Sequence, residues 1–142
     1  MDSGLPLIIG LSGKIGSGKD TIAELFVKHL PGCKHFKLAH KLQDFTALTI
    51  GVYKEDLSHR NLFSNRDWKE NTVVYQLDDI EYTPRLLMQK IGTECMRNGL
   101  STNFWTNQLF QTIMSEYSKD SNASFVISDV RFPNELDFVK SN

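Results

Sequence analysis

Apolar residues arrive in short runs, separated by stretches in which they recur every three or four positions. That alternation of buried strand and amphipathic helix predicts an α/β fold with a parallel sheet. Leu7-Ile8-Ile9-Gly10-Leu11 is a near-continuous apolar run of the buried-strand kind. Ile22, Leu25, Phe26 and Leu30 follow on one helical face, and Pro31-Gly32 stops that helix. Phe36 and Leu38 alternate with polar neighbours as a short second strand. Leu42, Phe45 and Thr49 predict a second helical stripe, with Gly51 placed to end it. Phe125-Val126-Ile127-Ser128 reads as a third buried strand and ends in Asp129.

Between these segments the signal is uneven. From Tyr53 to Tyr82 polar residues dominate (His59-Arg60-Asn61, Asn65-Arg66-Asp67, Lys69-Glu70-Asn71), which predicts a mobile excursion with at most short helices. Thr83-Pro84 supplies an N-cap and a first-turn proline for a helix carrying Leu87, Ile91 and Cys95 on one side. Asn103 is placed to cap the next helix, whose Trp105, Leu109, Ile113 and Tyr117 form an i, i+4 stripe. Ser118 to Ser124 is turn-like, and Asn134 is placed to cap a last helix.

Composition narrows the class. The 142 residues predict a single domain over 1–142, with 53–82 as an excursion from it. Hydrophobic residues make up 40% and charged residues 23%, which excludes a mostly disordered chain. Sixteen Lys+Arg balance 17 Asp+Glu, and without a polybasic run neither nucleic acid nor a membrane surface is an expected partner. No apolar run approaches the roughly 20 residues of a membrane span, and Met1–Leu11 lacks the basic start of a signal peptide. Cys33 and Cys95 stand far apart, so reduced thiols in a cytoplasmic protein are expected. His29, His35, His40 and His59 show no ligand spacing and predict surface or satisfied core roles.

The candidate chemistry begins at Gly13-Lys14-Ile15-Gly16-Ser17-Gly18-Lys19-Asp20-Thr21, directly after the first strand and opening the first helix. It fits G-x-x-x-x-G-K in the strand–loop–helix context that a phosphate-binding loop requires. Gly13, Gly16 and Gly18 let successive N–H groups turn toward a polyphosphate, the helix N-terminus adds partial positive charge, and Lys19 adds a full one. The residue after the lysine is usually Ser or Thr, whose hydroxyl ligates Mg²⁺; here it is Asp20, followed by Thr21. Its carboxylate fits two roles, holding Mg²⁺ through water or capping the helix. Strand C-termini of a parallel sheet meet at the ligand crevice, so Asp129 should emerge beside this loop and orient Mg²⁺ or its waters. Arg131, two residues on, carries a planar fork suited to phosphate.

Three blocks then carry a resemblance: Gly10–Thr21; Pro84-Arg85-Leu86-Leu87-Met88-Gln89-Lys90-Ile91-Gly92-Thr93-Glu94; and Ile127-Ser128-Asp129-Val130-Arg131-Phe132-Pro133-Asn134-Glu135. In that order they resemble the deoxynucleoside monophosphate kinases of large bacteriophages and related viruses, P-loop enzymes of the nucleoside monophosphate kinase fold. The resemblance implies transfer of the γ-phosphoryl of ATP to a deoxynucleoside 5′-monophosphate with Mg²⁺, in the host cytoplasm if the chain is viral. It assigns the donor phosphates to Gly13, Gly16, Ser17, Gly18, Lys19, Asp20 and Thr21, and Mg²⁺ to Asp20 and Asp129. It assigns the acceptor to Lys14, Arg85, Gln89 and Arg131, with Trp105 stacking near the base, although Trp105's stripe position favours the core. Lys19, Arg85, Asp129 and Arg131 would then be the catalytic set.

Two departures accompany it. Gln43 stands where the family usually brings a lysine, with Lys41 nearby. Family members also continue past the Asp-x-Arg block, so C-terminal strands and an arginine-bearing lid are expected to be missing from the chain. An unfinished sheet would leave a strand edge open and give a physical reason for homo-oligomer formation. Two alternatives remain open at this point: a phosphomevalonate kinase-like enzyme, whose loop and Ser-Asp-x-Arg strand are similar, and a nucleotide-binding remnant without turnover.

Overall fold

The computed structural model describes residues 5–14 and 17–141, which form two compact units: residues 5–38 with 105–141, and residues 39–104. The first unit is built on a three-stranded parallel sheet of β1 (Leu7–Gly10), β2 (Cys33–Phe36) and β5 (Ser124–Ile127), in the order β1-β5-β2. All four residues of β5 are buried, as expected for a central parallel strand. Leu7 and Cys33 both stand level with Ser124, and Gly10 and Phe36 with Ile127, so the three strands end together.

Helices α1 (Lys19–His29), α6 (Phe104–Lys119) and α7 (Pro133–Ser141) belong chiefly to this unit. Leu109 and Ile113 of α6 join Ile8, Leu38, Phe125, Ile127 and Val130 in the larger core cluster, with Trp105 and Tyr117 packed against it as the stripe predicts. Phe36 stacks on Phe125 at 5.6 Å between ring centroids. Helix α1 packs differently from its predicted stripe. Its buried residue is Ala23, set against Cys33 and Val126 with Phe26 and Leu30 beside them, while Ile22 and Leu25 are 44% and 50% exposed. The small Ala23 lets the helix backbone approach the sheet, which leaves Ile22 and Leu25 facing outward. The last helix starts at Pro133, one residue before the expected cap Asn134.

The second unit contains α2 (Ala39–Ile50), two short helices α3 (Arg60–Phe63) and α4 (Arg66–Asn71), and α5 (Pro84–Gln89). Thr46 and Ala47 are the buried residues of α2, whereas Phe45 of the predicted stripe is exposed. Gly51 ends the helix as expected, at φ +81°. The stretch read as an excursion also holds an antiparallel hairpin, β3 (Tyr75–Leu77) and β4 (Ile80–Tyr82). Its two-residue turn, Asp78-Asp79, has positive φ at both positions, the backbone of a type I′ turn. Thr83 caps α5 by accepting from the Leu86 N–H, with Pro84 in the first turn. From Lys90 to Arg97 the helix continues with wider turns; the Asn98 N–H, for example, bonds the carbonyl of Thr93, five residues back.

His59 is the satisfied core histidine of this unit. Its Nδ1 accepts from the Lys54 N–H at 3.0 Å, so its Nε2–H donates to Asp44 at 2.6 Å. Arg60 closes on both oxygens of the same carboxylate, at 3.0 and 2.7 Å. Burial pushes the Asp44 carboxyl up, but the bonds and charges of Arg60 and His59 outweigh it and hold the group below its ordinary value. The stabilisation this provides is present above the unfolded carboxyl's pKa, about 3.9, and fades as pH falls through the lower folded value. Asp44→Asn should therefore cost about 2–3 kcal/mol near neutrality, and the gap to wild type in urea titrations should narrow below pH 4. A gap that stays constant down to pH 2.5 would contradict the pairing.

Candidate functional site

The first unit gathers its polar residues where its three strands end. Beyond β1, the Leu11 N–H bonds the carbonyl of Ile127 at 2.8 Å, and the Val130 N–H bonds the carbonyl of Leu11 at 3.2 Å. The glycine-rich loop therefore leaves the sheet braced by the two residues that bracket Ser128 and Asp129. Gly18 precedes α1 at φ +84°, a conformation that a side chain disfavours. Lys19 folds its ammonium back onto the carbonyl of Gly13 at 2.7 Å. Lys14 and Ser17 are exposed, and Thr21 lies exposed in the first turn of α1. Gly16 lies outside the described residues.

Asp20 has separate partners for its two oxygens. Oδ1 accepts from the Ser128 hydroxyl at 2.8 Å, and Oδ2 accepts from Lys37 Nζ at 2.9 Å. Since Ser128 gives its one hydroxyl hydrogen to Asp20, the 2.7 Å contact to His35 Nε2 is a bond donated by the imidazole. His35 Nδ1 lies 3.0 Å from Glu24 Oε1. The chain Glu24–His35–Ser128–Asp20–Lys37 thus ties α1 to the ends of β2 and β5. Burial pushes the Asp20 carboxyl up, while the Lys37 and Ser128 bonds and the charge of Lys37 prevail and hold it below its ordinary value. Both of these bonds join Asp20 to side chains, those of Ser128 and Lys37, rather than to a helix amide.

Asp129 follows β5, and its Oδ1 accepts from the Leu38 N–H at 2.7 Å. That bond holds the carboxylate against the backbone that leaves β2. Arg131 is exposed, and its position is set from behind by Glu135. Glu135 Oε1 accepts from the N–H groups of Arg131 and Phe132, at 2.8 and 2.9 Å. This is the returning half of a capping box, in which a carboxylate three residues into the helix satisfies the donors at its start.

Arg85 is an exposed residue of α5 in the second unit, paired through Nη1 with Glu70 Oε1 at 2.7 Å. Gln89 is exposed at the end of the same helix. Trp105 packs against the core of the first unit. Lys19, Asp20 and Asp129 are thus brought to one end of one sheet, together with His35, Lys37 and Ser128, which the motif reading did not include. A positional signal was available for Ser128, which immediately follows the apolar run Phe125-Val126-Ile127. Among the described residues, no group of three or more His, Cys, Asp or Glu is arranged to hold a metal ion. No helix among them is long and apolar enough to cross a membrane.

The family described as deoxynucleotide monophosphate kinase matches residues 52–142. The chain is 32% identical over 145 residues to a putative deoxynucleotide monophosphate kinase of Acanthamoeba polyphaga mimivirus, covering 94% of the chain and 68% of that protein. It is 24% identical over 185 residues to the deoxynucleoside-5′-monophosphate kinase of Escherichia phage T5, covering 96% of the chain and 72% of that enzyme.

The Glu135 clamp yields a stability test. Glu135→Ala should cost about 1 kcal/mol in urea unfolding, because two amides lose their acceptor. Glu135→Gln keeps an oxygen there and should recover most of the loss. Equal stability of Glu135→Ala and wild type would show that the clamp contributes nothing.

Proposed function

The chain belongs to the deoxynucleotide monophosphate kinase family, and from that premise we propose that it transfers the γ-phosphoryl of ATP to the phosphate of a deoxynucleoside 5′-monophosphate, releasing ADP and the deoxynucleoside diphosphate. The observation that carries the reading is the register of the first unit, in which β1 and β5 end level and bring the glycine-rich loop beside Asp129. Phosphoryl transfer asks little covalent chemistry of a protein. It needs two anionic phosphates held in line and their charge neutralised.

In this reading Lys19 exchanges the Gly13 carbonyl for the outer donor phosphates, which accept from it more strongly because they are charged. Ser17, Gly18 and Thr21 line the same turn, and the α1 N-terminus faces the donor with its partial positive charge. Arg131 binds the acceptor phosphate with its exposed fork, and Lys14 adds charge from the loop. Arg85 is assigned to acceptor or transferring phosphate and Gln89 to the acceptor, both on the resemblance of their sequence block. Trp105's place in the core argues against base stacking.

The donor set suits Mg²⁺. Carboxylates and a hydroxyl are hard oxygen ligands, and Mg²⁺ beside a nucleotide takes only one or two carboxylates from the protein. Asp129 and Asp20 would hold the ion, which would supply positive charge to neutralise the donor phosphates.

An ADP-release assay over the four deoxynucleoside monophosphates, with phosphomevalonate as a control acceptor, tests the reading. Turnover of a deoxynucleotide supports it; turnover of phosphomevalonate alone, or ATP binding without turnover on any acceptor, would overturn it. Lys19→Ala should lower kcat/KM for ATP by about 10²–10³-fold with little change in stability. Arg131→Ala should raise KM for the acceptor about tenfold or more and leave ATP affinity nearly unchanged. Equal losses for both ligands would contradict an acceptor role.

A further inference from the structure

Among the described residues, four ion pairs of the first unit involve β2 or the residue after it, and one differs from the rest. Lys34–Glu116 joins two partly exposed side chains away from the strand ends, and His35 is engaged with Glu24 and the Ser128–Asp20 pair. Lys37 instead places its ammonium on Asp20, the residue that follows the loop lysine Lys19. Its side chain is only 23% exposed, whereas Asp20 is 61% exposed. The backbone is fixed as well, because the next residue, Leu38, donates its N–H to Asp129. A cation is therefore held on Asp20 at the phosphate end of the sheet, one residue before the backbone N–H that bonds Asp129.

We propose that Lys37 is a phosphate-binding cation of this site, held on Asp20 until a polyphosphate draws it away. The proposal rests on the kinase reading and extends it to a residue outside the loop motif. The division of labour at Asp20 is the main argument. Oδ1 is secured by Ser128, itself backed by His35, while Oδ2 accepts from Lys37. When Lys37 leaves, Asp20 keeps its Ser128 bond and its exposed oxygen is hydrated. An ion pair with so exposed a carboxylate is weak, and a polyphosphate offers several charged acceptors to the same ammonium. Lys19 rests in the same manner, on the Gly13 carbonyl. Both lysines are thus stored on oxygens that a triphosphate can outcompete.

The test measures binding of inorganic tripolyphosphate by calorimetry, without Mg²⁺, to the full chain and to Lys37→Met, Asp20→Asn, the double variant and Lys19→Ala. Lys37→Met should weaken binding about tenfold, in the wild-type and the Asp20→Asn background alike. Asp20→Asn alone should tighten it, by removing a negative charge and releasing the lysine. Lys37→Gln should repeat the loss with a thermal midpoint close to the parent's, which separates binding from folding. If Lys37→Met weakens binding only while Asp20 is a carboxylate, Lys37 merely neutralises Asp20 and the proposal is overturned. Loss with Lys19→Ala but not with Lys37→Met in either background also overturns it, and leaves the kinase reading standing. No loss with either lysine removed overturns both.

Discussion

The central strand β5 is the constraint on which the first unit depends. It is buried at every position and pairs in parallel with β1 on one side and β2 on the other, in matching register. A shift of one residue would turn each inward side chain to the opposite face, and the core of Phe125 and Ile127 against Leu109 and Ile113 resists it. Because the register is fixed, the chain must leave all three strands at one level. The loop after Gly10, Lys37 after Phe36 and Ser128-Asp129 after Ile127 converge for that reason. The hydrogen bonds there, Leu11 to Ile127, Val130 to Leu11 and Leu38 to Asp129, continue the ladder into the site.

The polar network at this end resolves a problem posed by the sequence. A carboxylate directly after the loop lysine puts negative charge where a polyphosphate is to bind, and Asp20 carries it in place of a hydroxyl. Lys37, Ser128 and His35 offset that charge, and they hold the carboxyl ionised against the effect of its partial burial. The substitution at one position of the motif is thus matched by residues from two other strand ends. The second unit uses the same device for structure: Asp44 is covered by His59 and Arg60 beneath the polar stretch that follows α2.

What could be read in advance was local. The Thr83-Pro84 helix start, the Gly51 stop and the α6 stripe each declare themselves within a few residues, and each has its expected structure. The hairpin after Val74 was obscured because Asp78-Asp79 occupies a turn that more often carries Asn-Gly, although Tyr75 to Tyr82 spans two short runs on either side of it. Helix α1 misled for a different reason. Two residues of its predicted stripe, Ile22 and Leu25, lie outward, and the closest contact is made by Ala23, whose size carries no hydrophobic signal of its own. The wide turns from Lys90 to Arg97 have no distinct pattern in the residues. Lys37 was invisible for the deepest reason: its partner Asp20 is on another element, and only the parallel crossover brings the two together.

The central claim is that donor phosphates bind where β1, β5 and β2 end. Hydrogen–deuterium exchange with and without Mg-ATP tests it most directly. Peptides that contain Gly13, Gly18–Thr21, Leu38 and Ser128–Arg131 should exchange more slowly when the nucleotide is present, and the opposite ends of the same strands, at Leu7 and Ser124, should not change. Unaltered exchange at all three strand ends, or protection by Mg-ATP confined to residues 39–104, would contradict the account.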